Sequence, residues 1–374
     1  MQIDLNNFLT KHNNVDYKSM LEYVNKKQYL ISEAAEGLFN DKGGEALIEV
    51  GTLYNQTHRH YHNYKHLVHL LYLIFKLDEE SEVEQEIIYT LIYIAFFHDA
   101  YYIPWEFSNE ENSANLFNKY CDEYPANNES VAKLIHTAII DTKNHICNSE
   151  ISKLFSQFDM AIISHGSVES LFEYEKGIFK EFQFADWNLY KSMRLSILQD
   201  FFNQNSRVEL GTLIEYVKNF KPKIGFYPGS FNPFHKGHAN ILHKAERMFD
   251  KVIIGRGINF DKKIEMSDTD LREVLPNQII VYTDKYINEI IDGLTKQGQD
   301  ITLIRGLRNS IDFANEMMQI EYLNDLSVAK EIPICNVVFI PCDREYAHFS
   351  SSAIRKMNEF QSGSGDYIKF TKDA

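Results

Sequence analysis

Residues 225–255, GFYPGSFNPFHKGHANILHKAERMFDKVIIG, decide the fold of the second half of this 374-residue chain. A β-rich run that ends at Tyr227 leads into a glycine- and proline-containing turn, and the motif HxGH, His235 to His238, then opens a helix. Strand, turn and helix in this order are typical of a parallel α/β sheet. A helix that begins beyond a strand presents free N–H groups and a positive dipole end to phosphate. We therefore expect a phosphate site at this junction.

The rest of the chain shows two different sequence patterns. KVIIGRGI, QIIVYTD, DITLIRGLR and NVVFIP are short β-rich runs, each followed by a possible helix, which predicts a parallel sheet covered by helices. In the first two hundred residues, YKHLVHLLYLIFKL and EQEIIYTLIYIAFFHD carry apolar residues at helical spacing. We predict an all-α domain over residues 1–205, a linker over 206–222 and an α/β domain over 223–374.

Composition limits the functions open to the chain. Hydrophobic residues make up 44% and charged residues 24%, which indicates a packed globular protein. The net charge of −15 disfavours nucleic acid and anionic membranes as partners. We expect neither a membrane span nor a secretory signal, because long apolar runs and a basic, then apolar, start are missing. The four scattered cysteines form no CxxC pair and indicate reduced thiols in a cytoplasmic protein.

Three further motifs follow the later strands: DKKIEMS after the second, IRGLRNSIDFANE after the fourth and EYAHFSSSAIRKM after the fifth. Together with HxGH they resemble the nucleotidyltransferase superfamily, and more closely phosphopantetheine adenylyltransferase, an enzyme of coenzyme A biosynthesis. The resemblance covers residues 223–360. It implies a Rossmann-like nucleotidyltransferase domain that transfers AMP from ATP, bound with Mg²⁺, to 4′-phosphopantetheine. The products would be dephospho-coenzyme A and pyrophosphate.

This resemblance also implies roles for individual residues. The catalytic residues would be His238, His235, Lys262 and Arg305. The residues that bind ATP or the acceptor would be Ser230, Phe231, Arg308, Glu316, Ser350, Ser351, Ser352 and Arg355. The segment SFNPFHKGH also resembles nicotinate mononucleotide adenylyltransferase, so that acceptor stays open as an alternative, although the IRGLR motif favours 4′-phosphopantetheine.

A second set of motifs lies in the helical half: RHYHNYKHLVHLL, FFHDAYY, NEENSA and FDMAII. They resemble the HD-superfamily metal-dependent phosphohydrolases, which carry RxYHNxxH, FHDxxY and NEExSA, and most of residues 45–203 fit that pattern. The resemblance implies an HD-domain helical bundle. Its metal ligands would be His66, His98, Asp99 and Asp159. Mixed imidazole and carboxylate ligands suit divalent Mn, Fe, Ni, Zn or Mg.

The segment YHNxxH also resembles the corresponding part of cyclic-nucleotide phosphodiesterases, and that analogy makes His62 a general acid. If the segment is helical, His62 and His66 lie one turn apart on one face. The sequence thus predicts a bifunctional enzyme, expected to be a homo-oligomer, that also hydrolyses an unidentified phosphate ester or nucleotide. The alternatives are an HD domain with only a regulatory or oligomerising role, and a nicotinate mononucleotide adenylyltransferase fused to a nucleotide hydrolase.

Overall fold

A computed structural model describes residues 4–39, 42–121, 129–145, 147–258, 271–272 and 275–359. The chain divides into two compact units. Unit 1 comprises Met1–Glu181 and Lys191–Lys218, and unit 2 comprises Phe182–Tyr190 and Asn219–Ala374. Residues 182–190, which we predicted within the first domain, therefore belong with the second. In the described residues, no helix is long and apolar enough to span a membrane.

Unit 1 is helical, as the apolar spacing of the first two hundred residues predicts. Its helices are α1 (Leu5–His12), α2 (Tyr17–Lys26), α3 (Gln28–Phe39), α4 (Gly43–Tyr54), α5 (Tyr64–Glu80), α6 (Gln85–Phe97), α7 (Asn109–Cys121), α8 (Glu129–Asp141), α9 (Glu150–Asp159), α10 (Ala161–His165), α11 (Val168–Glu181), α12 (Trp187–Asn205) and α13 (Val208–Asn219). The first residues of α12 belong to unit 2.

Helices α5 and α6 lie at the centre of this unit. Both are apolar on nearly all sides, and the aliphatic and phenylalanine side chains of their middle turns are buried. Helix α5 begins after Asn63, whose side chain accepts a hydrogen bond from the Lys65 N–H at 2.8 Å. The first turn of α5 and the C-cap of α6 therefore place His66 and His98 in a buried environment.

The segment 206–222, predicted as a linker, contains helix α13. Leu210, Leu213 and Val217 of this helix are buried, so the segment packs as folded structure. Its apolar residues are spaced by three and four positions, which is the spacing of a helix with one buried face. This spacing indicates a helix, and a linker would not need it.

Unit 2 is an α/β domain with a parallel sheet, as predicted. Its elements are β1 (Lys223–Gly229), α14 (Lys236–Glu246), β2 (Lys251–Gly257), β3 (Ile279–Tyr282), α15 (Ile287–Lys296), β4 (Asp300–Leu307), α16 (Ser310–Ala329), β5 (Asn336–Pro341) and α17 (Ser351–Glu359). The five strands are all parallel, in the order β3-β2-β1-β4-β5. β1 extends two residues beyond Tyr227, where we predicted its end.

This strand order positions a ligand site. From β1 the chain builds β2 and β3 on one side, and then returns to add β4 and β5 on the other. The strand order therefore reverses between β1 and β4, and open α/β sheets bind ligands beyond the carboxyl ends of the strands at such a point. β1 is buried along most of its length, which fixes its end relative to its neighbours.

Lys251, the first residue of β2, holds the segment 182–190 within unit 2. Its side chain is 1% exposed, and its ammonium group donates to the carbonyl oxygens of Gln183 at 2.5 Å and Ala185 at 2.7 Å. The Gln183 oxygen also accepts a hydrogen bond from the Gln278 N–H at 2.9 Å. These contacts explain why a segment next to α11 in sequence belongs to the sheet unit.

Burial lowers the pKa of Lys251 to about 7. A lysine in the unfolded chain has a pKa of about 10, so between these values the unfolded state binds the extra proton. Stability should therefore rise with pH over this window, by up to about 1.4 kcal/mol per pH unit. We expect Lys251→Met to remove that rise. The free energy of unfolding at about pH 7 and about pH 9.5 checks this.

Trp187 fluorescence can follow unit 2 alone when Trp105 is replaced by Phe, because the chain has only 2 tryptophans. Lys296→Met is the matched control, since the Lys296 side chain is 72% exposed. It should keep the pH dependence of the parent protein. The same pH slope in the parent and in Lys251→Met would contradict the role given to Lys251.

Candidate functional site

A cavity of about 310 Å³ lies at the carboxyl ends of β1 and β4. The first turns of α14 and α17 and the start of α16 complete its wall. Motifs that are far apart in the sequence thus meet in one place. The predicted residues among those that line the cavity are Phe231, His235, His238, Arg305, Arg308, Glu316, Ser350, Ser351 and Ser352.

Three other predicted residues stand apart from this group. Ser230 is exposed and is outside the described lining of the cavity, because the chain turns sharply at the next residue. Phe231 has a left-handed φ of 45°, and its ring is the side chain that turns inward, with 2% exposed. Lys262 lies outside the described residues. Arg355 is on α17, and its side chain is outside the described part of the structure.

His235 and His238 form a stacked pair, with ring centroids 3.8 Å apart and planes at 19°. His235 caps α14, and its Nδ1 accepts a hydrogen bond from the Gly237 N–H at 3.1 Å. Burial, with the nearby charge of Arg308, lowers the pKa of His235 to about 4. Its imidazole is therefore neutral at pH 7 and carries its proton on Nε2, because Nδ1 is an acceptor. That N–H can donate to a phosphate oxygen.

His238 is held by aromatic rings. Its ring centroid lies 5.1 Å from that of Phe231 and 5.4 Å from that of Phe234. Burial, followed by the charges of His235 and Arg308, holds the pKa of His238 well below its usual value. Its Nδ1 is buried and has no hydrogen-bond partner among the described residues. Buried polar atoms normally have partners, so this atom indicates a place for a ligand.

The two arginines of the IRGLR motif are oriented by acidic side chains. Arg308 donates from Nε and Nη2 to the two carboxylate oxygens of Asp312, at 2.8 and 3.0 Å. Arg305 Nε lies 2.5 Å from Glu316 Oε2 in an ion pair that lacks hydrogen-bond geometry, and its Nη2 donates to Gln319. Glu316, predicted to bind ATP or substrate, thus contacts Arg305. Asp312 and Gln319 were not among the predicted site residues, although Asp312 has the i,i+4 spacing of a helical ion pair.

The serine run forms the beginning of α17. Ser350 Oγ accepts a hydrogen bond from the Ala353 N–H at 3.1 Å, as a helix-capping residue does. Ser351 Oγ donates to the Pro233 carbonyl oxygen at 3.1 Å, which ties this helix to the loop after β1. Both α14 and α17 therefore direct their N-terminal ends toward the same cavity, and such ends favour anions.

A second cluster lies in unit 1, where four predicted metal ligands converge. His66 Nε2 lies 3.3 Å from His98 Nε2 and 3.1 Å from Asp159 Oδ1. Asp99 Oδ2 lies 3.1 Å from His98 Nε2 and 3.9 Å from His66 Nε2. Ligand atoms that share one divalent ion at roughly 2.1 Å are themselves roughly 3 to 4 Å apart. His66, His98 and Asp159 therefore offer ligand atoms that all lie within 4.8 Å of one another, as one metal site requires. Asp99 approaches both histidines but is not part of this group.

The orientation of His98 also fits a metal ligand. Its Nδ1 lies 3.0 Å from the Ala95 carbonyl oxygen, so it donates there and directs Nε2 into the cluster. Burial alone would lower the pKa of His98, but the charge of Asp99 raises it to about 9. The carboxylates thus stabilise positive charge at this point. The Nδ1 of His66 is buried without a partner in the described residues.

His62 lies beside this cluster but is not on α5. It precedes the helix and its capping residue Asn63, so the condition under which His62 and His66 would share a helix face is not met. Their ring centroids are nevertheless 6.1 Å apart. The His62 ring stacks on Tyr102, with centroids 4.3 Å apart, and its Nδ1 lies 2.7 Å from Glu181 Oε2. Burial by itself would lower the pKa of His62, but the charges of Glu181 and then Asp99 raise it.

The fold and the cavity of unit 2 define a nucleotidyltransferase, and residues 226–357 match the cytidylyltransferase-like family. Phosphopantetheine adenylyltransferase from Mycoplasma capricolum is 33% identical over 143 residues, which are 37% of this chain and 99% of that protein. The enzyme of the same name from Streptococcus gordonii is 31% identical over 150 residues, 39% of this chain and 88% of that protein. Through its C-terminal unit, the chain belongs to the phosphopantetheine adenylyltransferase family.

A solved structure, described as a putative nicotinate-nucleotide adenylyltransferase from Vibrio parahaemolyticus, covers 40% of this chain and 88% of its own. With a TM-score of 0.29 and 16% identity, it does not bear on the choice of acceptor. The similarities described above do not support an HD identity for unit 1, so that identity stays a prediction from the residues of unit 1 and their geometry.

Proposed function

We propose that unit 2 transfers AMP from ATP to 4′-phosphopantetheine, forming dephospho-coenzyme A and pyrophosphate. The observation that carries this proposal is the meeting of two helix N-termini, two neutral histidines and two arginines in one cavity. Such a site can hold several phosphate groups at once. The names of the relatives from Mycoplasma and Streptococcus support phosphopantetheine as the acceptor.

The reaction needs positioning and positive charge rather than a covalent intermediate. An oxygen of the acceptor phosphate attacks the α-phosphorus of ATP in line. The new P–O bond forms as the bond to the bridging oxygen of the β-phosphate breaks, and pyrophosphate leaves with that electron pair. Nε2–H of His235 and the ring of His238 would donate to phosphate oxygens, where charge develops. The N-terminal turn of α17, with Ser350, Ser351 and Ser352, would hold the outer phosphates.

The acceptor phosphate would lie against Arg305, with Lys262 as a second proposed contact. Mg²⁺ would neutralise phosphate charge when it is bound with ATP. Asp312 and Glu316, the carboxylates that line the described part of the cavity, are both paired with arginines. Mg²⁺ would therefore be carried by the ATP phosphates rather than by these side chains.

ATP that is radioactively labelled at either the α- or the γ-phosphate tests the reaction class. With 4′-phosphopantetheine present, label from the α-phosphate should enter the coenzyme product, and label from the γ-phosphate should appear in pyrophosphate. Label from the γ-phosphate in the organic product would mean phosphoryl transfer and would overturn the proposal. Omission of the acceptor controls for hydrolysis of ATP.

Arg305→Lys should weaken use of the acceptor more than binding of ATP. Lysine keeps the charge, but it cannot replace the planar group that spans Glu316 and Gln319 and can bind phosphate through two N–H groups. Loss of a hydrogen bond to a charged group costs about 1.5–3 kcal/mol, so the acceptor KM should rise roughly tenfold or more. The ATP KM should change less. Arg247→Lys, an exposed position just after α14, is the matched control. An equal rise in both KM values would contradict this role.

We infer that unit 1 is a metal-dependent hydrolase of phosphate esters. The specific observation in its favour is the convergence of His66, His98 and Asp159 within the spacing of one divalent ion, with the Asp99 carboxylate beside the two histidines. A bound divalent cation lowers the pKa of a coordinated water and polarises a phosphoryl oxygen. Ala95 orients His98, and His62, whose ring lies near that of His66, would donate a proton to the leaving oxygen. Hydrolase activity with added Mn²⁺ on a panel of phosphate esters tests this function. A homo-oligomeric state and a cytoplasmic location stay predictions.

A further inference from the structure

Glu181, the last residue of α11, is a buried carboxylate that none of the motifs of the chain includes. It is 1% exposed. One oxygen, Oε1, accepts hydrogen bonds from the backbone N–H groups of His60, Tyr61 and His62 at 2.8, 2.7 and 2.9 Å. The other, Oε2, lies 2.7 Å from His62 Nδ1 and accepts from the Tyr102 hydroxyl at 3.0 Å. Five donors thus surround one carboxylate.

The backbone contacts fix the turn that precedes α5. Three successive N–H groups that converge on one oxygen form an anion-binding nest, here occupied by a side chain of the same unit. Arg59 holds the same turn from the other side, by donating to the His62 carbonyl oxygen at 3.2 Å and the Asp99 carbonyl oxygen at 2.6 Å. The turn is therefore tied both to Glu181 and to the backbone of a proposed metal ligand.

The side-chain contacts fix the tautomer and the orientation of the His62 ring. A carboxylate oxygen can only accept, so Nδ1 of His62 must carry a proton. Nε2 is then the nitrogen left to exchange a proton with a bound ligand. Tyr102 stacks on the ring and donates to the same Oε2, which restricts rotation of the ring.

We propose that Glu181 is the positioning residue that presents His62 as the proton donor in the hydrolase site, an inference that rests on the proposed hydrolase function of unit 1. With both ring nitrogens protonated, His62 gives its Nε2 proton to the leaving oxygen as the P–O bond breaks. The attacking water forms the new P–O bond, and the proton that it loses returns to Nε2 through solvent, so the products are the alcohol and phosphate. Glu181 keeps the proton on Nδ1 and remains ionised. It does not touch the substrate.

Glu181→Gln separates positioning from folding. The amide oxygen of Gln can still accept from the backbone N–H groups, whereas its NH₂ group would face His62 Nδ1 and favour the opposite tautomer. Phenyl phosphate and p-nitrophenyl phosphate, assayed on the full chain with Mn²⁺, differ in how much the leaving oxygen needs a proton. We expect kcat/KM for phenyl phosphate to fall roughly 100-fold, and that for p-nitrophenyl phosphate only severalfold. Equal losses would show a merely structural role and overturn the inference.

The matched control is Glu173→Gln, the same change at a side chain of α11 that is 74% exposed. It should leave both activities unchanged. A second readout does not need activity: nitrogen-15 NMR of histidine-labelled full chain, with the His62 signals assigned through His62→Asn. We expect a protonated Nδ1 in the parent and an unprotonated Nδ1 in Glu181→Gln. A protonated Nδ1 in both overturns the inference. A parent that hydrolyses neither ester refutes the hydrolase function, while the NMR result still decides the role of Glu181.

Discussion

The His238→Ala protein should lose adenylyl transfer by roughly two to three orders of magnitude in kcat, while unit 2 stays folded. Removal of one donor that stabilises transition-state charge costs about 3 kcal/mol in an enclosed site. His238 lines the cavity, and its Nδ1 has no partner among the described residues. Its substitution therefore breaks none of the hydrogen bonds described within the protein. The measurement is steady-state formation of dephospho-coenzyme A.

His243→Ala is the matched control for that variant. His243 lies on the same helix, in the last turn, and is not among the residues that line the cavity in the described structure. It should retain the parent turnover. The Mn²⁺ content of unit 1 should be unchanged in both variants. Turnover by His238→Ala close to that of the parent would show that this histidine is not part of the catalytic site.

The Asp99→Ala protein should lose the metal of unit 1 and its phosphate ester hydrolysis, and it should retain adenylyl transfer. Asp99 is a predicted ligand whose Oδ2 lies 3.1 Å from His98 Nε2, and its charge raises the pKa of His98. Loss even of an outer partner of a metal ligand lowers affinity about 10- to 100-fold, so loss of a ligand should exceed that. Elemental analysis after dialysis measures the bound metal, and both activities are assayed on the same preparation.

Asp200→Ala is the control for this change, because Asp200 is an exposed carboxylate of α12 in unit 1. It should keep the metal and both activities. If Asp99→Ala retains stoichiometric metal and hydrolysis, His98 and Asp99 have a structural role and the hydrolase proposal for unit 1 fails. If it loses adenylyl transfer as well, the assignment of the two activities to separate units is wrong.

The sequence predicts the architecture well where the signals are local. Strand, turn and HxGH helix succeed one another within residues 225–255, and the structure has β1, the turn and α14 there. The placement of residues 182–190 could not be predicted. Lys251 binds the backbone carbonyl oxygens of Gln183 and Ala185, which are 68 and 66 positions away. Every residue has a carbonyl oxygen, so no side-chain pattern marks these partners.

In the candidate sites, too, residues in local motifs could be predicted, whereas backbone conformation and distant contacts could not. The motif residues that line the cavity of unit 2 are histidines, arginines and serines, which carry their chemistry in their side-chain type. The backbone conformation of the loop after β1 could not be predicted from the sequence. There, Phe231 has a left-handed φ of 45°, its ring turns inward, and Ser230 is left exposed. The role of Glu181 could not be predicted from the sequence either, because glutamates near helix ends are common. Glu181 and His62 are 119 positions apart in the sequence, and only the folded chain brings them into contact.

The identity of the acceptor is the most direct test of the central claim. The purified parent protein is incubated with ATP and Mg²⁺ and with either 4′-phosphopantetheine or nicotinate mononucleotide, and the products are measured by mass. We predict dephospho-coenzyme A and an equal amount of pyrophosphate with the first acceptor, and little or no nicotinate adenine dinucleotide with the second. Formation of the dinucleotide without any dephospho-coenzyme A would contradict the proposed function of unit 2.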